Sequence, residues 1–140
     1  MKAEVVYNNI IPFDGFVAFT FIPWIFVREN LRYKYDDTAD RHEHTHVHQQ
    51  VECLIVGAVI AIIMLCTGCG WWSLIPLGLF FELYLLEWII KWPICFVTNK
   101  NAYRSISTEQ EAYEHEAEVG YNNVRKHFAW VKYIFKTVKK

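Results

Sequence analysis

Cys53 to Trp72 is a run of twenty residues without a formal charge, and it follows closely on a histidine-rich stretch, His42 to His48. As a helix such a run is about 30 Å long, the thickness of a bilayer's hydrocarbon core. A second apolar stretch, Trp71 to Ile90, is interrupted by Glu82 and Glu87, and Thr67-Gly68-Cys69-Gly70 forms a natural turn between the two. All fourteen Lys and Arg lie outside Val51 to Ile90. The pattern predicts a long apolar helical hairpin with both ends on one positively charged side, which the positive-inside rule makes the cytoplasm. Trp71 and Trp72 suit one interface, Trp88 and Trp92 the other. The competing architecture is a soluble protein with two long buried helices. In its favour, mean hydropathy is only +0.10, and carboxylates at 82 and 87 are costly in lipid. Glu87 can pair with Lys91 one turn on, whereas Glu82 has no such local partner. The span length favours the membrane.

Within the histidine stretch, His42-Glu43-His44-Thr45-His46 has the spacing H-E-x-x-H. Helix positions i and i+4 share a face, so His42 and His46 can offer two imidazoles to one metal ion. Glu43, one residue on, can then act as general base on a water molecule. His44 and His48 repeat the spacing, but no Glu follows His44. The plainer alternative is a surface histidine cluster that binds metal without specificity. Polar residues from Asp37 to Arg41 precede the motif, so it sits near the start of a helix that runs into the apolar segment.

A catalytic zinc ion takes three protein ligands. Candidates for the third lie in Ser107 to Glu116, where four glutamates fall within eight residues. This stretch reads as a helix from Ser107 to Val119, with Ser107 as N-cap, Gln110 completing a capping box, and Gly120 as the stop. One reading is an acidic first turn that complements the helix dipole. The other is a carboxylate carried to the metal by a second helix.

His42-Glu43-x-x-His46 followed by Glu109-x-Glu111-Ala112 resembles the gluzincin metallopeptidases, most closely the membrane-embedded group that includes the HtpX-like and CAAX-prenyl-type proteases. The resemblance implies Glu109 as third zinc ligand, in a Glu-x-Glu-Ala-Asp-like stretch in which Tyr113 stands where that group has Asp. Leu86 to Lys91 and Ala102 to Tyr113 also look like stretches shared by small Bacteroidetes and phage proteins, a likeness that runs from Ile10 to Lys132. It implies a zinc peptidase and brings no substrate.

The length of 140 residues suits a single domain, read as a β-hairpin region (5–28), a zinc helix with an apolar helical hairpin (39–97), and a third-ligand helix with a C-terminal amphipathic helix (105–140). The expected fold is therefore mainly α and zincin-like, with a small N-terminal β-hairpin. Pro12-Phe13-Asp14-Gly15 is its turn signal, and Phe16 to Phe21 and Trp24 to Val27 have strand composition. An apolar membrane-surface segment is the alternative there. Arg28 to Asp40 reads as a polar linker, and Pro93 as the end of the second long helix. Tyr121 to Lys140 is basic and amphipathic, suited to packing or to an anionic membrane surface. The four cysteines read as reduced, apolar packing residues despite the Cys66-x-x-Cys69 spacing.

A net charge of −1 without a basic stripe excludes a nucleic-acid partner on electrostatic grounds. Hydrophobic residues make up 54% of the chain, consistent with a membrane partner. The expected activity is peptide-bond hydrolysis on a peptide or protein substrate, with Zn²⁺ on His42, His46 and Glu109 and with Glu43 as base. Tyr103, Arg104 or Tyr113 can stabilise the oxyanion, and His44, Glu111 and His115 can support or replace ligands. The alternative is a non-enzymatic membrane protein whose His/Glu cluster holds metal for structure or transport. The two separate at Glu43, which only an enzyme needs as a base. Oligomeric state is not constrained.

Overall fold

The computed structural model describes residues 2–139. The chain is mainly helical with a small N-terminal sheet, as its composition and periodicity predict. Strands β1 (Glu4–Asn8), β2 (Ala18–Phe21) and β3 (Trp24–Arg28) form that sheet in the order β1-β3-β2. It is not the simple hairpin expected. β2 and β3 pair antiparallel, while β1 joins β3 in parallel, Val5 opposite Ile25 and Tyr7 opposite Val27. The Pro12–Gly15 turn lies in the loop between β1 and β2 rather than in the hairpin, which turns at Ile22-Pro23. The loop leaves β1 because the Asn8 side-chain oxygen accepts from Ile10 N and Ile11 N at 2.8 and 2.7 Å. Such an Asx turn reverses the chain without a ladder. Ala3, Ile25 and Val27 bury one face of the sheet against Val47.

Helix α1 spans Asp37–Cys66. Asp36 caps it by accepting from Thr38 N and Ala39 N at 3.0 and 2.9 Å, and Asp37 and Asp40 in its first turn favour the positive end of the helix dipole. Its thirty residues make it about 45 Å long. The end comes at Gly68, whose φ of 82° lets the chain fold back. The return is not one smooth helix. A 3-10 segment, Gly70–Gly78, runs back along α1, and α2 follows over Leu79–Val97. Close approach is possible because residue 57 is glycine: a Cβ there would lie 1.9 Å from the Pro76 carbonyl oxygen.

Pro93 lies inside α2 and does not end it. Tertiary contacts hold the helix on both sides of the proline. Before it, Lys91 donates to the Ser105 carbonyl at 2.5 Å; after it, buried Cys95 meets the Ser105 hydroxyl. Both long segments are apolar enough to cross a membrane, with mean hydropathies of 2.1 and 1.7 over 18-residue windows. Glu82 is exposed on the first turn of α2. Cys53 and Cys95 are buried as expected, but Cys66 is exposed and Cys69 half-buried at the hairpin tip, so packing does not explain that pair.

A short strand β4 (Lys100–Asn101) and a 3-10 turn (Tyr103–Ser105) lead to α3, Ser107–His115. No capping box starts α3. The Ser107 N–H and hydroxyl both donate to the Glu87 carboxylate of α2, and Gln110 turns away to the Ser105 and Lys136 carbonyls. The Glu87–Lys91 pair, 2.7 Å apart, thus pins α3 to α2 instead of facing lipid. The expected C-terminal helix is also absent among the described residues. Tyr121–Val124 forms a one-turn α4, Ala129–Tyr133 a 3-10 turn, and Val138–Lys139 a strand β5 paired with β4. The break is at Phe128, in the left-handed region at φ 55°, which lets Trp130 and Tyr133 turn inward and become buried.

Candidate metal centre

His42 and His46 occupy successive turns of one face of α1, and α3 brings Glu109 up to them. All three residues are buried, and one ligand atom from each lies within 4.8 Å of the others. The two Nε2 atoms are 3.2 Å apart, and each stands 3.5 Å from a Glu109 oxygen. Tetrahedral zinc with bonds of about 2.0–2.1 Å has ligand–ligand edges of about 3.3–3.4 Å. The His42–His46 separation is close to such an edge, and the two Glu109 contacts, Oε2 to His42 and Oε1 to His46, bring one carboxylate against both imidazoles.

The surroundings explain why these atoms converge. His42 Nδ1 is 2.9 Å from Glu116 Oε2, and His46 Nδ1 is 2.8 Å from Gln49 Oε1. Both acceptors place the ring hydrogen on Nδ1, which turns both Nε2 lone pairs toward one point. Two such lone pairs at 3.2 Å repel unless a cation or a proton lies between them. Glu109 Oε1 accepts from Tyr84 OH at 3.1 Å, while its buried Oε2 has no hydrogen-bond partner among the described residues. A buried carboxylate with one oxygen unpartnered, set against two imidazoles, is a donor set that could hold a cation.

Electrostatics agree. Burial alone would raise the Glu109 pKa, but His46 and His42 outweigh it and hold the carboxyl below its usual range. Burial likewise pulls the His42 imidazole down, yet Glu109, Glu43 and Glu116 together hold it above the ordinary histidine value. Burial, then Glu109, push the Tyr103 phenol far up, so it remains a neutral hydrogen-bond donor.

Glu43 is not one of the three converging residues. Together with His46 and Glu109 it lines a cavity of about 450 Å³. The other walls are apolar: Ile10 to Phe13 and Phe16 from the β1–β2 loop, Phe19 from β2, and Phe80 and Phe81 from the base of the hairpin. Tyr84 and Tyr103 complete it. β2 is an edge strand, and Thr20 on it donates to Glu43 Oε2 at 2.6 Å.

The remaining candidates divide. Tyr103 lines the cavity beside Glu109. Tyr113 stacks edge-on against His42 at 4.5 Å, and Arg104 lies over the Tyr113 ring at 4.1 Å, so both buttress a ligand. Glu111 is not aimed at the triangle. Its carboxylate holds Gln49 Nε2 at 2.9 Å and is itself held by Arg125 and Tyr121, a relay that ends on His46. His115 stacks on Tyr121 at 3.9 Å and belongs to neither the triangle nor the cavity. His44 is tied to Asp40 and lines a separate polar cavity with His48. Thr20, Gln49 and Tyr84 carried no signal in the sequence, and Glu116 stood out only as one of four acidic residues. Comparison with protein-family models, curated proteins and solved structures finds no match for the chain.

Proposed function

We propose that the chain is a membrane-associated zinc metallopeptidase. The observation that carries this reading is the convergence of His42, His46 and Glu109, with ligand atoms within 4.8 Å of one another, beside an H-E-x-x-H glutamate that lines a cavity. His42, His46 and Glu109 would hold the ion as two neutral imidazoles and one carboxylate. Zinc, when bound, supplies Lewis acidity that makes a hydroxide nucleophile available near neutral pH and polarises a carbonyl. Glu43 takes the proton of the attacking water and passes it to the leaving amine. Tyr103, which lines the cavity beside Glu109, would donate to the developing oxyanion.

The cavity supports a polypeptide substrate with a bulky apolar side chain, because its walls are aliphatic and aromatic and its polar groups gather around Glu43 and Glu109. The edge position of β2 supports binding in an extended conformation. Thr20 C=O is taken by the Gln50 side chain at 2.7 Å; by strand alternation Ala18 presents its N–H and C=O on the same free side.

Membrane association rests on the long segments. Of their most apolar windows only 33% and 17% are buried, unlike the core helices of a soluble protein. Trp71 and Trp72 at the tip are 87% and 71% exposed, which suits an interfacial belt. In this reading the termini and the metal centre lie on the cytoplasmic side. Glu43→Gln tests the chemistry: it keeps size and polarity but cannot accept the proton. Zinc content should persist while peptide turnover falls by about 10² to 10⁴. Undiminished turnover in the variant would refute Glu43 as base.

A further inference from the structure

We infer that Thr20 is a positioning residue for catalysis: its hydroxyl, fixed on strand β2, aims the Glu43 carboxylate. The inference rests on the peptidase reading and adds to it a residue from a different element. Thr20 is 4% exposed, and its Oγ1 lies 2.6 Å from Glu43 Oε2 and 3.3 Å from the Glu43 carbonyl oxygen. A hydroxyl has one hydrogen to give, and the shorter, charge-assisted contact takes it. The glutamate side chain has three rotatable bonds, and on a helix surface it would sample several rotamers. Thr20 selects one of them and leaves Oε1 free as the proton acceptor.

The hydroxyl is itself held in place. Gln50, two turns along α1 from Glu43, spans the same strand with both ends of its amide. Its Nε2 donates to Thr20 O at 2.7 Å, and its Oε1 accepts from Ile22 N at 3.1 Å. In ladder terms the Gln50 amide takes the place of a peptide unit on the edge of β2. The strand is therefore locked in register to α1 on one side of Thr20, and its open edge begins at Thr20 N–H and continues through Ala18. A substrate paired with that edge is aligned by the same residue that orients the base. Base and substrate share one reference frame, which is how proximity effects become large.

A double-variant cycle separates this role from simple packing. Thr20→Val removes the hydroxyl and keeps the shape. Expected for Thr20→Val is a kcat lowered about 10- to 100-fold, with KM and zinc content close to the parent's. Thr20→Ser, which restores the donor, should recover most of the loss. In a Glu43→Gln background Thr20→Val should cost little more, because no base remains to be aimed. An equal loss in both backgrounds, or no recovery with Ser, would overturn the inference. A second cycle, with Glu43→Leu in place of Glu43→Gln so that no acceptor remains for the hydroxyl, run on thermal unfolding of the metal-free protein, reads the bond without catalysis. Non-additive melting temperatures are expected, and additive ones overturn the contact itself. A parent that turns over no peptide refutes the peptidase reading, and Thr20's catalytic role with it, whatever the melting cycle shows.

Discussion

Replacing Arg125 with Met should weaken both the fold and the metal centre, although Arg125 touches no proposed ligand. Its side chain is 3% exposed and bridges Glu52 and Glu111, which are 6% and 0% exposed. The guanidinium donates to both Glu111 oxygens at 2.6 and 3.0 Å and pairs with Glu52 as well. Without it, two buried carboxylates lose the cation they share, and only Tyr121 and Gln49 on Glu111 and Trp130, His127 and the Phe128 N–H on Glu52 remain. Breaking a buried pair from one side costs about 3–5 kcal/mol, which lowers the melting temperature of a chain this size by about 10 °C or more. The sign of the pH dependence follows from Glu52. Burial pushes its pKa up, but Arg125 and the Phe128 N–H outweigh burial and hold it below the usual carboxylate range. In the parent, Glu52 therefore contributes stability above the unfolded pKa and loses it as pH falls through the depressed value. In the variant burial is unopposed by the guanidinium, so the carboxyl gains by taking up a proton. The deficit should be largest near neutrality and shrink as pH falls toward about 4. The damage should also reach the metal, because Glu111 holds Gln49 and Gln49 holds His46. Loss of such outer support lowers metal affinity by about 10- to 100-fold. Thermal melting in detergent between pH 4 and 8, with a chelator competition for zinc, measures both. A parent-like melting temperature, or a deficit that does not vary with pH, would refute the argument.

Two further perturbations reach other parts of the fold. Gly57→Ala places a methyl group where the Pro76 carbonyl oxygen lies, 1.9 Å away, so the returning segment must shift. A loss of about 1–3 kcal/mol in unfolding experiments is expected, and no loss would show that the hairpin packs differently. In intact cells, a membrane-impermeant thiol reagent should label exposed Cys66 at the hairpin tip, while tags on both termini stay protected. Labelling of the tip and the termini from the same side would refute the crossing hairpin.

Much of the centre was legible because its chemistry is local. His42 and His46 need only helical periodicity to share a face, and the polar residues before them with the charge-free run beyond make that helix plain. Glu109 lies more than sixty residues on, and only the resemblance singled it out among four glutamates. What supports the site is less local. Thr20 meets Glu43 because β2 packs beside α1, and Tyr84 meets Glu109 because α2 returns past α3. Neither placement leaves a periodic trace. Glu87 pairs with Lys91 by helical spacing alone, but its second partner, Ser107, lies twenty residues away and leaves no local signal. The C-terminal stretch had the composition of an amphipathic helix, but the left-handed turn at Phe128 is set by burying Trp130 and Tyr133. No glycine marks that turn, so local propensity pointed the wrong way.

The central claim is a zinc ion held by His42, His46 and Glu109. Its most direct test is the zinc content of purified protein, parent beside variants, after dialysis against a weak chelator. The account predicts about one zinc per chain in the parent, none in the His42→Ala, His46→Ala double variant, and weakened retention in Glu109→Gln. A stoichiometric zinc ion in the double variant would contradict it, since the metal would then reside elsewhere in the molecule.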